Sequence, residues 1–266
     1  MRLPIEYSLL GDGKRIRPIL CLAANFAVSG KMENALPAAC AIEMIHAYSL
    51  IHDDLPALDD DSLRRGRPTC HIQFTESTAI LAGDALLNMA FETLTEAALH
   101  SAPDKMPEWL KIIAFIAKSS GSRGMIEGQA RDIEFEGTTI TQNALEEMHL
   151  LKTGALIQAA VYSGAVIEKA SETHIFNLLE YAKYIGLAFQ VVDDILNVDG
   201  DSAIMGKAIG TDNHKGKNTY PALIGLTESR KYAKRLIAQA LHVLSGFDNN
   251  ADPLRAIARY VIDRNR

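Results

Sequence analysis

The chain has 266 residues, 48% of them apolar and 23% charged, the profile of a globular protein with a core of its own. Its net charge of −6 leaves no room for the long basic face that a nucleic-acid-binding surface needs. The 3 cysteines lie far apart with no CxxC or cysteine–histidine metal spacing, which reads as reduced thiols in a cytoplasmic protein. No apolar run reaches the roughly 20 residues of a membrane span, so no membrane insertion is expected, and the opening residues show no signal-peptide pattern.

The first distinctive stretch is "GDGKRIRP" (11–18). Two glycines and Lys14, Arg15 and Arg17 precede an apolar helix expected over 17–29, with Pro18 suited to its first turn. The spacing is not that of a Walker A loop, because Ser8 stands where a glycine belongs and Arg15 where Ser or Thr belongs. Such a basic turn is either simply solvated or grips a small anion.

A helix over 35–55 follows, with Ile42, Ile45, His46, Ser49 and Asp53 at steps of three and four. It leads into "LIHDDLPALDDDSLRRGRPTCH" (50–71), where five aspartates fall within Asp53–Asp61 and Arg64, Arg65 and Arg67 come next. Like charges this close disfavour ionisation unless a cation sits among them. Pro56 biases Leu55 out of helical geometry, so Asp59 arrives from the following turn and can aim back at Asp53 and Asp54.

Helices are expected next over 73–99, 107–120, 122–136 and 141–168. Lys152 and Thr153 sit inside the last, in "HLLKTGALIQAA" (149–160), where a lone lysine ordinarily snorkels to water. The helix expected over 172–199 carries "VVDDILNVDGD" (191–201), an echo of the first acidic stretch. Its Gln190, Asp193, Asp194 and Asn197 share one face. "GKAIGTDNHKGKNTYP" (206–221) then sets Lys207, Lys215 and Lys217 in a glycine-interrupted loop, and helices over 218–244 and 252–264 complete the chain. With no linker or low-complexity block, residues 1–266 read as one all-α domain.

One DD pair is more often a solvated helix cap than a metal site. Two such pairs at the ends of apolar helices, one of them flanked by arginines, suit hard divalent cations. Mg²⁺ is favoured because it takes one or two carboxylates plus a substrate's phosphates. An EF-hand is excluded: with Gly200 as the loop glycine, the first and last ligand positions fall on Ile195 and Gly206. Lysines on a loop beside such a site grip phosphate as point charges. Acid pairs, basic turns and an apolar helical lining together suggest chemistry on a diphosphate attached to a hydrophobic tail.

"GKRIRP", "HAYSLIHDDLPALDDDSLRRGRPTCH", "ILAGDALL", "GQARDI", "KTGALIQAAV", "GLAFQVVDDILNV" and "GKNTYPALIGL" resemble the successive motifs of bacterial trans-isoprenyl diphosphate synthases, most of all the farnesyl type. The similarity runs from about residue 7 to the end of the chain. It implies a helical bundle of the isoprenoid synthase type, usually a homodimer, with a deep central active-site cavity. The implied reaction is the head-to-tail (1′-4) condensation of isopentenyl diphosphate with dimethylallyl or geranyl diphosphate, giving farnesyl diphosphate and releasing diphosphate.

The resemblance implies Mg²⁺, three ions per active site with substrate bound, bridged by Asp53, Asp59 and Asp193, with Asp54 and Asp194 beside them. Arg64, Lys152, Lys207 and Lys217 would contact the allylic diphosphate. Lys14, Arg17, His46 and Arg65, with backbone from Gly13, would bind isopentenyl diphosphate. Thr153, Gln190 and the backbone oxygen of Lys152 would steady the carbocation. The chain departs from the family pattern at Asn197, where an aspartate is usual, and at Asp12, where a glycine is usual; family members also carry a helix or two more before the first basic turn. Tyr48, five residues before Asp53, resembles the aromatic of enzymes that stop at fifteen carbons. A geranylgeranyl or longer product, or a catalytically silent subunit, are the alternatives.

Overall fold

In the computed structural model, which describes residues 1–199 and 217–264, the apolar periodicity becomes a helical bundle. Its helices are α1 (Arg2–Leu9), α2 (Ile16–Ser29), α3 (Leu36–Asp53), α4 (Cys70–Gln73), α5 (Glu76–Leu99), α6 (Met106–Ser120), α7 (Met125–Glu134), α8 (Gln142–His149), α9 (Ala155–Val166), α10 (Glu172–Asp199), α11 (Tyr220–Ile224), α12 (Leu226–Val243) and α13 (Asp252–Asp263). Among the described residues the strand content is one small antiparallel hairpin, β1 (Leu63–Arg64) with β2 (Arg67–Pro68). The molecule is all-α in class, as its sequence pattern predicts. None of its described helices is long and apolar enough to cross a membrane.

α3, α9 and α10 carry much of the core. Ile42 and Ile45 on α3, and Tyr181, Ile185, Ala188 and Val191 on α10, are fully buried. α3 packs along α5, α2 along α9, and α10 along α12. Small residues let these backbones approach: Ala38, Ala41, Ala79 and Ala82 are all buried between α3, α5 and their neighbours. At Gly164 a Cβ would stand 2.0 Å from the Cys21 carbonyl oxygen, so α9 meets α2 nearly backbone to backbone. Buried Asn25 ties the pair by donating to the Gly164 carbonyl at 2.9 Å. The hydroxyl of buried Tyr181 donates to the Leu254 carbonyl at 2.7 Å, joining α10 to α13.

Several boundaries differ from expectation for local reasons. α3 ends at Asp53, two residues before the expected end and ahead of Pro56. The helix expected over 73–99 starts at Glu76, because Thr75 is extended and its hydroxyl caps the Thr78 N–H at 3.1 Å. The one expected over 141–168 is interrupted by a π turn, Leu150–Gly154, which joins α8 to α9. The one expected over 218–244 divides at Gly225, whose φ of 81° suits glycine alone. α1 and the hairpin were not anticipated. The hairpin turns on Arg65 (φ 54°) and Gly66 (φ 74°), two left-handed residues whose twist matches paired strands.

Candidate active site

A cavity of about 1590 Å³ opens between the C-terminal half of α3, the second half of α10, α7, the π turn and the basic turn before α2. Gly13, Lys14, Arg17, His46, Asp53, Arg64, Arg65, Lys152, Thr153, Gln190 and Asp193 all line it. Asp54, Asp59 and Lys217 stand outside that lining. Lys207 falls outside the described residues, as does Lys215.

α3 carries Asp53 to the cavity on its last residue. The chain then folds back, and the Asp59 N–H donates to the Asp53 carbonyl at 2.9 Å, so the two carboxylates become neighbours as Pro56 predicted. Burial pushes the Asp53 carboxyl up to about 6; Lys152 pulls it down while Asp59 pushes it further up. Such a group gains from any cation brought beside it. Asp54 is only 3% exposed and is gripped by the Arg64 guanidinium, with Nε at 2.8 and 2.9 Å from its two oxygens and a terminal nitrogen at 2.6 Å. Burial works against the Arg64 charge, and the bonded Asp54 with its acidic neighbours more than restores it.

The second acidic pair divides likewise. The Asp193 side chain reaches the cavity and lies 2.8 Å from an Arg264 terminal nitrogen. That approach is off the hydrogen-bonding line, so it is a charge contact. The Arg264 side chain is almost wholly buried, with its guanidinium carbon 3.8 Å from the Phe189 ring centroid, and donates to the Phe189 carbonyl at 2.6 Å. Asp194 is buried and accepts the Tyr220 N–H at 2.9 Å.

Lys152 does not snorkel. Its ammonium donates to Asp132 Oδ2 at 2.7 Å, and Lys217 reaches the same oxygen at 3.2 Å while donating to Asp59 Oδ1 at 2.9 Å. Burial alone would raise the Asp132 carboxyl, but the two lysines hold it below the usual range. Burial likewise opposes the charge of Lys217, and Asp132 and Asp59 push its pKa up. Asp132 lies within the "GQARDI" motif but was given no role; its signal is its place three residues after Gln129, which also lines the cavity. Arg264 was missed because nothing in its local pattern marks it.

On the basic wall, an Arg17 terminal nitrogen donates to His46 Nε2 at 3.2 Å. An arginine can only donate, so this His46 nitrogen accepts and the ring is neutral. Burial and then Arg17, Arg65, Arg64 and Arg15 hold His46 well below its ordinary value. Burial brings Arg17 down to about 10. Gly13 lets the Arg65 guanidinium pass where a Cβ would meet it at 2.4 Å, and Arg65 donates to the Asp12 carbonyl. Lys14 sits over the Phe189 ring at 5.8 Å. Arg15, also in the lining, pairs with Glu43 at 2.5 Å.

The donor set fits Mg²⁺. Asp53, Asp59 and Asp193 offer hard carboxylate oxygens, and among the described residues no three acidic, histidine or cysteine groups converge into a closed metal cage. An ion that keeps its waters and shares a substrate's phosphates needs no such cage.

Residues 1–257 match the family described as polyprenyl synthetase. The chain is 48% identical to a geranylgeranyl diphosphate synthase of Cyanophora paradoxa over 98% of its length and 86% of that protein's. It is also 48% identical to the farnesyl diphosphate synthase of Escherichia coli, over 98% of this chain and 88% of that one. Its fold superposes with a TM-score of 0.87 and 33% identity on a Helicobacter pylori geranyltransferase solved with magnesium and isoprenyl diphosphate, covering 98% of this chain and 88% of that chain. An all-helical bundle with one long acidic-and-basic cavity, matched over nearly its whole length, therefore belongs to the polyprenyl synthetase family of prenyl-chain-elongating enzymes.

Proposed function

We propose that the protein is a farnesyl diphosphate synthase, joining isopentenyl diphosphate head-to-tail to dimethylallyl and then geranyl diphosphate. The observation that carries the elongation chemistry is one cavity-facing aspartate from each acidic helix end, Asp53 and Asp193, in a cavity whose other wall is cationic. The reading includes Mg²⁺ held by Asp53, Asp59 and Asp193, three ions with substrate bound, in a cytoplasmic homodimer. The magnesium in the Helicobacter pylori neighbour supports the metal.

When bound, Mg²⁺ supplies Lewis-acid stabilisation of the charge that builds on the leaving diphosphate. Lys152, Lys217 and Arg64 add preorganised positive charge to the same group, so the allylic C–O bond ionises. Lys207 has the same role in this reading. Lys14, Arg17 and Arg65 hold isopentenyl diphosphate, with neutral His46 as a further polar contact. The Thr153 hydroxyl, the Gln190 amide oxygen and the Lys152 carbonyl face the cation while the double bond of isopentenyl diphosphate attacks it. The proton released in closing the new alkene passes to the freed diphosphate.

Chain length rests on Tyr48. It is 7% exposed, lines the cavity and sits edge-on to His52 with ring centroids 5.6 Å apart. His52 is itself held against α5 by the Ile80 carbonyl at 3.1 Å, over a gap that the absent side chain of Gly83 leaves open. A ring braced in this way makes a firm floor for a growing chain. The geranylgeranyl relative, as similar as the farnesyl one, keeps a twenty-carbon product as the second reading.

The test is incubation with dimethylallyl and isopentenyl diphosphates, with and without Mg²⁺, and chromatography of the dephosphorylated products. A Mg²⁺-dependent fifteen-carbon alcohol is expected; no product from folded protein refutes the enzymatic reading. Tyr48→Ala should lengthen the product by at least one five-carbon unit, and an unchanged product would move the stop elsewhere.

A further inference from the structure

In each acidic pair the first aspartate faces the cavity and the second is buried against the segment that follows. Asp53 and Asp193 line the cavity; Asp54 and Asp194 do not. Asp54 and Asp194 are 3% and 7% exposed. Asp54 closes three short bonds on Arg64, the last residue of β1, directly before the hairpin turn whose residue Arg65 enters the same cavity. Asp194 accepts the Tyr220 N–H, three residues after Lys217, whose ammonium bridges Asp59 and Asp132. Thr219 fixes the same turn by capping the Ala222 N–H at 3.4 Å.

We infer that Asp54 and Asp194 are positioning residues: each anchors the cationic segment that its helix end leads into, while its neighbour is left for the metal. The inference rests on the proposed reading of Asp53 and Asp193 as metal ligands. The argument is geometric. Consecutive helix residues point about 100° apart, so adjacent carboxylates on or just past a helix are directed to different neighbours. A buried carboxylate already bonded to a guanidinium or a backbone N–H would have to break that bond to take a metal. Breaking the Asp54–Arg64 pair would also leave a buried charge uncompensated.

The replacements Asp193→Asn, Asp194→Asn and Asp194→Ala separate the two roles, with Asp53→Asn and Asp54→Asn as the matching set. Mn²⁺ binding in the presence of inorganic diphosphate is read by electron paramagnetic resonance. Asp193→Asn and Asp53→Asn should weaken at least one ion by more than about tenfold, whereas Asp194→Asn and Asp54→Asn should stay within about threefold of the parent.

Hydrogen exchange of the peptide holding Tyr220 gives a second readout that needs no metal. Asp194→Ala should speed its exchange, and Asp194→Asn, which keeps an acceptor oxygen, should restore most of the protection. In turnover, Asp194→Ala should raise the KM for the allylic diphosphate more than it lowers kcat. Equal loss of Mn²⁺ in Asp193→Asn and Asp194→Asn, with unchanged exchange at Tyr220, overturns the inference and leaves the proposed function standing. Parent protein that takes up no Mn²⁺ with diphosphate overturns both.

Discussion

His149 is buried on the last turn of α8, its ring 5.7 Å from that of Tyr220 and nearly parallel to it. Neither ring nitrogen has a hydrogen-bond partner among the described residues. Burial, with Lys152 adding to it and Asp132 opposing, brings its pKa down to about 4 from an ordinary 6.5. The unfolded chain therefore binds this proton at a higher pH than the folded one, and stability falls as pH drops from about 6.5 towards 4. The loss from this residue alone is about 2 kcal/mol between pH 7 and pH 5. His149→Phe keeps the stacked ring and removes the titration, so its urea-unfolding free energy should change less over the same range by about that amount.

At the same scale, some residues were legible in the sequence and others were not. The return of Asp59 to Asp53 could be read because Pro56 acts locally on its own neighbour. Helical spacing put Gln190, Asp193, Asp194 and Asn197 on one face; Gln190 and Asp193 do line the cavity, whereas Asp194 is buried and turns to the Tyr220 N–H, and Asn197 stands outside the lining. Which member of each DD pair faces the cavity could not be read, since it is decided by Arg64 and Tyr220, partners beyond the helix end. Asp132 and Arg264 acquire their meaning from Lys152, Lys217 and Asp193, groups brought near only by packing.

Among elements, close backbone contact sets the geometry. Gly128 on α7 has the backbone nitrogen of Lys152 where a Cβ would stand, at 2.1 Å, so α7 rests directly on the π turn that presents Lys152 and Thr153. α8 and α9 read as one helix from the sequence because their apolar spacing barely changes across 150–154. The extra residue in that turn answers to α7, and π turns of this kind recur at functional sites. The α2–α9 contact is tested by Gly164→Ala. The new methyl would meet the Cys21 carbonyl, a backbone atom that cannot swing aside, so the helices must part. The expected cost is about 3 kcal/mol, measured by denaturant unfolding, and a loss under about 0.5 kcal/mol would mean the two backbones shift without strain.

For the whole molecule, several charges in and beside the cavity are already matched to one another. Lys217 joins Asp59 to Asp132, Lys152 holds Asp132, and Arg264 faces Asp193. A divalent ion at Asp59 competes with Lys217, one at Asp193 meets the nearby Arg264 charge, and an anion must draw Lys152 or Lys217 from a carboxylate. Mg²⁺ and inorganic diphosphate should therefore stabilise the fold together far more than separately. Differential scanning fluorimetry should show a rise of about 5–10 °C for the pair at saturating levels, well above the sum of the single additions. Additive shifts would mean that the internal ion pairs exert no control over loading.

The same pairing makes the chamber a filter. A lone anion meets Lys152 and Lys217 already engaged, and a lone ion meets Asp59 already engaged. Only a guest that brings both signs at once lets both sets change partners in a single exchange. These ion pairs should thus make the cavity answer less to the separate ingredients of its substrate complex than to their combination.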